Sequence, residues 1–190
     1  METTKLVKER KTIERLFDTI NRMISKAKGS EVYALKRDKT ALYLVYALSA
    51  TARQVVSLKV DDVKPVRCRI TSVALMSKGE DAASGTKVRY VAVFGDGAAL
   101  LEWYLRKVRP YFARKAVKKS DALFLSSEGR RLSLGELQRR FVEITGQAGL
   151  DGRLYTLDGL CYAGMHHRRR LTDLSQMVKR SREPANPAQG

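Results

Sequence analysis

Near the start of the chain, Leu6, Ile13, Leu16, Phe17, Ile20 and Met23 recur at three- and four-residue steps among lysines and arginines. That spacing puts them on one face and predicts an amphipathic helix over residues 3–27, closed by Gly29 and Ser30. A second helix is predicted over 38–49, where Leu42, Leu44, Val45 and Leu48 make a more apolar and hence more buried segment. A short third helix follows over 52–58, and Asp61 and Asp62 then interrupt the pattern. Residues 66–76 and 86–94 are rich in Val, Ile, Tyr and Phe, and the polar, glycine-bounded stretch between them predicts a hairpin with a long tip.

Helical spacing returns over 95–112 through Leu100, Leu101, Tyr104, Leu105 and Val108, with Pro110 marking the approach to its end. Residues 121–125 read as a short extended run, and Gly129 turns the chain. Ser133 stands three residues before Glu136, the spacing at which cap and third helical residue satisfy each other's amides. The helix it opens ends near Gly146 or Gly149, with Leu134, Leu137, Phe141 and Ile144 on one side and Arg139 and Arg140 on another. Thr156 or Asp158 opens the next helix, through Leu160 and Tyr162 toward Met165, and Leu171, Leu174, Met177 and Val178 predict one last short helix. The pattern predicts a mainly α chain with a small antiparallel β-sheet (α+β), a single domain over 1–180 and a flexible tail over 181–190.

Charge narrows the choice of partner. Lys and Arg number 37 against 20 Asp and Glu, a formal charge of +17, and a field of that sign favours a polyanion, most simply nucleic acid. A basic surface serving solubility and a contact with anionic lipid are the plainer alternatives. The N-terminal ten residues are highly charged and no 18-residue apolar span follows, so a cytoplasmic protein without a membrane anchor is expected. Cys68 and Cys161 lack metal-site spacing, and His166 and His167 have no Cys or carboxylate at a recognised ligand spacing. No metal and no cofactor are therefore expected.

The run Ala50-Thr51-Ala52-Arg53-Gln54-Val55-Val56-Ser57-Leu58, continuing to Val63, resembles the first active-site box of the tyrosine recombinases, the phage-integrase type of DNA strand-exchange enzyme. The order of elements over residues 38–175 is similar to that family's catalytic domain. The resemblance implies that fold and makes Arg53, expected to be buried at the head of an apolar face, the first arginine gripping the scissile phosphate. Val56 stands where the family usually carries a glutamate, and a brace on backbone carbonyls is the other reading of Arg53. Lys78, followed by Gly79, matches the hairpin lysine that protonates the leaving oxygen. Val88-Arg89-Tyr90-Val91-Ala92-Val93 matches the return strand.

The second box is altered. Tyr155-Thr156-Leu157-Asp158-Gly159-Leu160-Cys161-Tyr162-Ala163 keeps the apolar positions, but Asp158 stands at the family's histidine and Cys161 at its second arginine. An aspartate repels a phosphate, and a cysteine cannot donate a bidentate clamp. The last tyrosine is Tyr162, inside the box, where the family places its nucleophile well beyond it. Arg53, Lys78, Asp158 and Cys161 therefore read as vestiges of a catalytic set.

The leading expectation is a non-catalytic duplex-DNA-binding protein, accessory or regulatory in the DNA transactions of a mobile element. Arg53, Lys78, Arg89, Arg139, Arg140, His167, Arg168, Arg169 and Arg170 are its expected DNA contacts, with the 133–146 helix in the major groove or, alternatively, showing an ordinary solvated face. A recombinase or other DNA-processing protein is a further expected partner. The final helix is expected to dock on its own chain, leaving the protein mainly monomeric without DNA. Two readings stay open beside this one: an active or trans-complemented recombinase with a clamp of Arg53 and Arg168, Arg169 or Arg170 and Tyr155 or Tyr162 as nucleophile, and a basic module for RNA or an acidic protein.

Overall fold

The computed structural model describes residues 10–66, 70–77, 87–151 and 155–168. Cys68, Lys78, Arg169, Arg170, the expected helix at 171–178 and the tail lie outside the described residues.

Helix α1 (Arg10–Lys26) lays Ile13, Leu16 and Ile20 into the core, as its apolar spacing requires. Gly29, at φ +58°, makes the turn into α2 (Ser30–Leu48). This helix begins eight residues before its expected start at 38. The charged run from Lys36 to Lys39 hides an inward-facing stretch, since Leu35, Arg37 and Asp38 are all buried. Helix α2 is apolar on most of its circumference and forms the centre of the molecule. Ser49, in the left-handed conformation, ends it, and α3 (Ala52–Ser57) follows at once.

The sheet has three antiparallel strands in chain order: β1 (Val63–Val66), β2 (Ile70–Ser77) and β3 (Lys87–Phe94). The β2–β3 pairing runs from Ile70 opposite Phe94 to Ser77 opposite Lys87, the expected hairpin. Val73, Leu75, Val91 and Val93 point inward at the alternate positions. The sequence pattern does not reveal β1, a four-residue edge strand containing Pro65, and edges are where proline is tolerated in a sheet.

A rod of α4 (Gly95–Trp103), a π-helical turn (Tyr104–Val108) and α5 (Arg109–Ala113) packs against α2. Pro110 lies just past the junction of the π-helical turn and α5, and the rod ends three residues on, at Ala113, as the approach marked by Pro110 predicts. Tyr33 and Tyr111 stack with ring centres 3.9 Å apart, and the Lys36 ammonium lies 4.9 Å from the Trp103 ring centre. The chain then threads the core through Ala122, Leu123, Phe124 and Leu125, bridged to Lys59 on one side and Arg131 on the other. Helix α6 (Leu134–Gln147) starts with the expected reciprocal cap between Ser133 and Glu136. A further helix, α7, covers residues 157–168 and buries Leu157, Leu160, Cys161 and Ala163.

Candidate nucleic-acid interface

Helix α3 is capped by its own sequence: Gln54 N donates to the Thr51 hydroxyl at 3.2 Å, and Thr51 N to Gln54 Oε1 at 2.9 Å. Ala52, Val55 and Val56 form its buried stripe. Arg53 lies outside that stripe and is exposed, which corrects the expected buried arginine. One residue on from Ala52 is a rotation of about 100°, enough to carry its side chain off the apolar face. Among the described residues no hydrogen bond or ion pair holds Arg53. The brace at this helix is instead Arg131, whose guanidinium donates to the carbonyls of Val56, Ser57 and Leu58 at 3.1, 2.7 and 3.2 Å and also reaches Asp121.

The altered second box sits at the head of α7. Asp158 is exposed and Cys161 buried. Burial first and the Asp158 charge second push the Cys161 thiol up, while the Arg89 guanidinium acts against them. Strand β3 thus brings a cation beside the position where the sequence lacks one. Arg89 donates to Leu48 O at 3.5 Å and Arg168 to Ala47 O, so both guanidiniums gather at the C-terminal end of α2, where helix carbonyls attract positive charge. Burial and the repulsion of Arg89 together lower the Arg168 pKa.

Next to them the Tyr46 hydroxyl and His167 Nδ1 are hydrogen-bonded at 2.8 Å, with the rings edge to face. Close approach of α7 to α2 depends on Gly164, where any Cβ would overlap the Tyr46 carbonyl oxygen. The two helices and β3 enclose a cleft of about 620 Å³ lined by Tyr43, Tyr46, Arg89, Tyr90, His167 and Arg168 among others. Tyr90 is 66% exposed at its mouth. The structure therefore brings Arg89, Asp158, Cys161, His167 and Arg168 into one neighbourhood, and Arg53 does not line the cleft.

The arginine pair of α6 divides. Arg139 is exposed, whereas the Arg140 guanidinium is ion-paired with Asp38 and Glu31 at 2.6 Å each and with Glu143 at 2.8 Å. Burial alone would lower its pKa, but Asp38 and Glu31 outweigh that and hold it firmly charged. Asp38, fully buried, also takes Arg37 Nε at 2.9 Å, and Arg37 in turn donates to Leu125 O. Arg140 therefore clasps α6 to α2 with its charge already neutralised, which removes it from the expected DNA contacts. Arg37, Arg109 and Arg131 escaped sequence reasoning as structural residues. Arg109 holds the carbonyls of Ser120 and Ala122, but nothing in its spacing announces carbonyls that lie in a loop.

Among the described residues, no group of three His, Cys, Asp or Glu side chains could hold a metal ion, and no helix is long and apolar enough to cross a membrane.

A helical body carrying a three-stranded antiparallel sheet in this arrangement has the fold of the tyrosine recombinase catalytic domain. Two crystal structures of the XerH site-specific recombinase share it. The pre-cleavage complex with a difH substrate matches 85% of this chain with a TM-score of 0.65 at 17% identity. The post-cleavage complex with palindromic difH matches 82% with a TM-score of 0.62 at 18% identity. In sequence, 97 residues, or 51% of the chain, are 31% identical to tyrosine recombinase XerC of Roseiflexus castenholzii. The chain spans 28% of that XerC and 40 to 43% of the XerH chains. No protein-family model matches the sequence.

Proposed function

We propose that this chain is a non-catalytic duplex-DNA-binding protein on the tyrosine recombinase fold, accessory or regulatory in DNA transactions such as those of a mobile element. The observation that carries the reading is the substituted second box: an exposed Asp158 and a buried Cys161 stand where a histidine and an arginine would grip a phosphate. A neutral, buried thiol donates no bidentate hydrogen bond, and a carboxylate opposes the charge that grows on phosphorus in strand transfer. Binding survives such a change better than chemistry does. Arg53, Arg89, Arg139, His167 and Arg168 still offer phosphate contacts, to which Lys78, Arg169 and Arg170 add by sequence. The likeness to XerH, a site-specific recombinase crystallised bound to its difH substrate, supports duplex DNA as the ligand. A recombinase or other DNA-processing protein is a fitting partner, and the chain is proposed to be cytoplasmic and mainly monomeric without DNA.

The test has two arms. Fluorescence anisotropy against duplex DNA, RNA and heparin measures the preference, and equal affinity for all three would reduce the ligand to any polyanion. Nicked suicide duplexes run on a denaturing gel measure the chemistry. No covalent protein–DNA band is expected, and one that survives detergent would make the chain an active recombinase.

A further inference from the structure

Outside the α7 cleft, a groove of about 970 Å³ lies between the loop after α5 and the turn before α6. We propose that this groove is a second phosphate-binding surface, taking the duplex backbone beside the stretch that faces α6. The inference rests on the duplex-binding reading above and names a contact region which that reading does not include.

Three observations carry it. The first is charge. Lys115, Lys118, Lys119, Arg130 and Arg131 line the groove against only two carboxylates, an excess of three positive charges. Both carboxylates are already engaged, Asp121 by Lys59 and Arg131, and Glu128 by Arg130. Among the described residues no carboxylate pairs with the three lysines, although Lys115 rests over the Tyr111 ring.

The second is that the walls are built before any ligand arrives. Gly129, at φ +78°, lets the turn press on the other loop so closely that a Cβ there would lie 2.6 Å from the Ala116 amide nitrogen. Within the turn, Ser126 N donates to Arg130 O at 2.7 Å and Gly129 N to Ser126 O at 3.1 Å. From beneath, Arg109 holds the carbonyls of Ser120 and Ala122, and Arg131 ties its wall to the end of α3. A preformed surface gives up less conformational freedom on binding.

The third is continuity. Arg131 lies two residues before the Ser133 cap of α6, so a backbone running past the start of that helix meets the groove next. An acidic peptide would satisfy the same lysines, but Val117 between them is fully exposed and offers a peptide side chain no pocket. The regular phosphates of a duplex fit an open row of lysines on a loop, and phosphate contacts of this kind position a protein without reading sequence.

The experiment compares the full chain with the triple variant Lys115→Gln, Lys118→Gln, Lys119→Gln, with thermal melts to establish that both are folded. Anisotropy titrations on a 25-base-pair duplex are run from about 50 to 300 mM salt, a range over which phosphate contacts declare themselves. The variant is expected to bind about tenfold more weakly at low salt, with the slope of log K against log salt shallower by about 2 to 3. If the parent binds the duplex and the variant keeps both affinity and slope, the groove is not a phosphate surface and the duplex reading stands. If the parent does not bind the duplex, both fall. Loss of poly-glutamate binding with unchanged duplex binding would assign the groove to an acidic protein and overturn the proposal.

Discussion

The guanidiniums of α6 and those around α7 sit in opposite circumstances although the sequence presents both as basic clusters. At the α2–α6 contact, Arg37 and Arg140 enclose the buried Asp38 and are joined by Glu31 and Glu143 at the surface. At the α2–α7 contact, Arg89 and Arg168 gather on helix carbonyls and raise each other's electrostatic cost. One group of charges holds the fold together. The other supplies a local positive field, and the groove beside α6 supplies a second. The formal charge of +17 is left unchanged by these ion pairs, since each also consumes a carboxylate, but Arg37 and Arg140 are not among the cations that a partner can reach.

The sharpest way to break this comparison is at Asp38. Asp38→Ala leaves Arg37 and Arg140 without their shared buried carboxylate, and unfolding in urea should show a loss of about 3 to 5 kcal/mol. A loss below 1 kcal/mol would mean that the clasp is dispensable. Gly164→Ala should cost about 1 to 3 kcal/mol, because the new methyl group meets the Tyr46 carbonyl and pushes α7 off α2. An unchanged melting temperature would contradict the close approach of those helices. Gly129→Ala should cost about 1 kcal/mol or more, from a left-handed backbone and the contact with Ala116, and it should also weaken duplex binding by splaying the groove.

Arg139→Ala sharpens the contrast from the other side. Its stability should stay within about 0.5 kcal/mol of the parent while duplex affinity falls, the reverse of what Arg140→Ala should do to stability. Equal destabilisation by the two substitutions would erase the distinction between clasp and contact. The smallest effect concerns Cys161. Its raised pKa means that less thiolate is present at pH 8 than in a free cysteine, so alkylation in the folded protein should lag and then accelerate as pH rises above the ordinary thiol range. Peptide mapping by mass spectrometry after timed iodoacetamide exposure reads this directly, and labelling as fast as in urea would show the thiol to be open.

Helical spacing made α1, α6 and the rod through α5 legible, and the Ser133–Glu136 cap located the start of α6 to the residue. The same geometry, applied more strictly, separates Arg139 from Arg140. With Leu137, Phe141 and Ile144 buried, position 140 falls on the flank of the apolar stripe and position 139 nearly opposite it. It likewise places Arg53 off the 52, 55 and 56 face. The partners of Arg37, Arg109 and Arg131 were not legible, since each lies on a segment far along the chain or in a loop whose path the sequence pattern does not encode. The α7 neighbourhood was legible only in part. Spacing located Asp158 and Cys161 on one helix, but the arrival of Arg89 from β3 depends on the sheet's position against that helix.

The single tryptophan of the chain, Trp103, ends α4 with Lys36 of α2 over its ring and lines neither of the two basic clefts. The protein thereby carries an intrinsic fluorophore at a helix–helix seam, apart from the surfaces proposed to meet a ligand. Its emission records whether α2 and α4 remain together, without a dye and without interference from a labelled duplex. Stability and binding can then be followed in one cuvette at separate wavelengths.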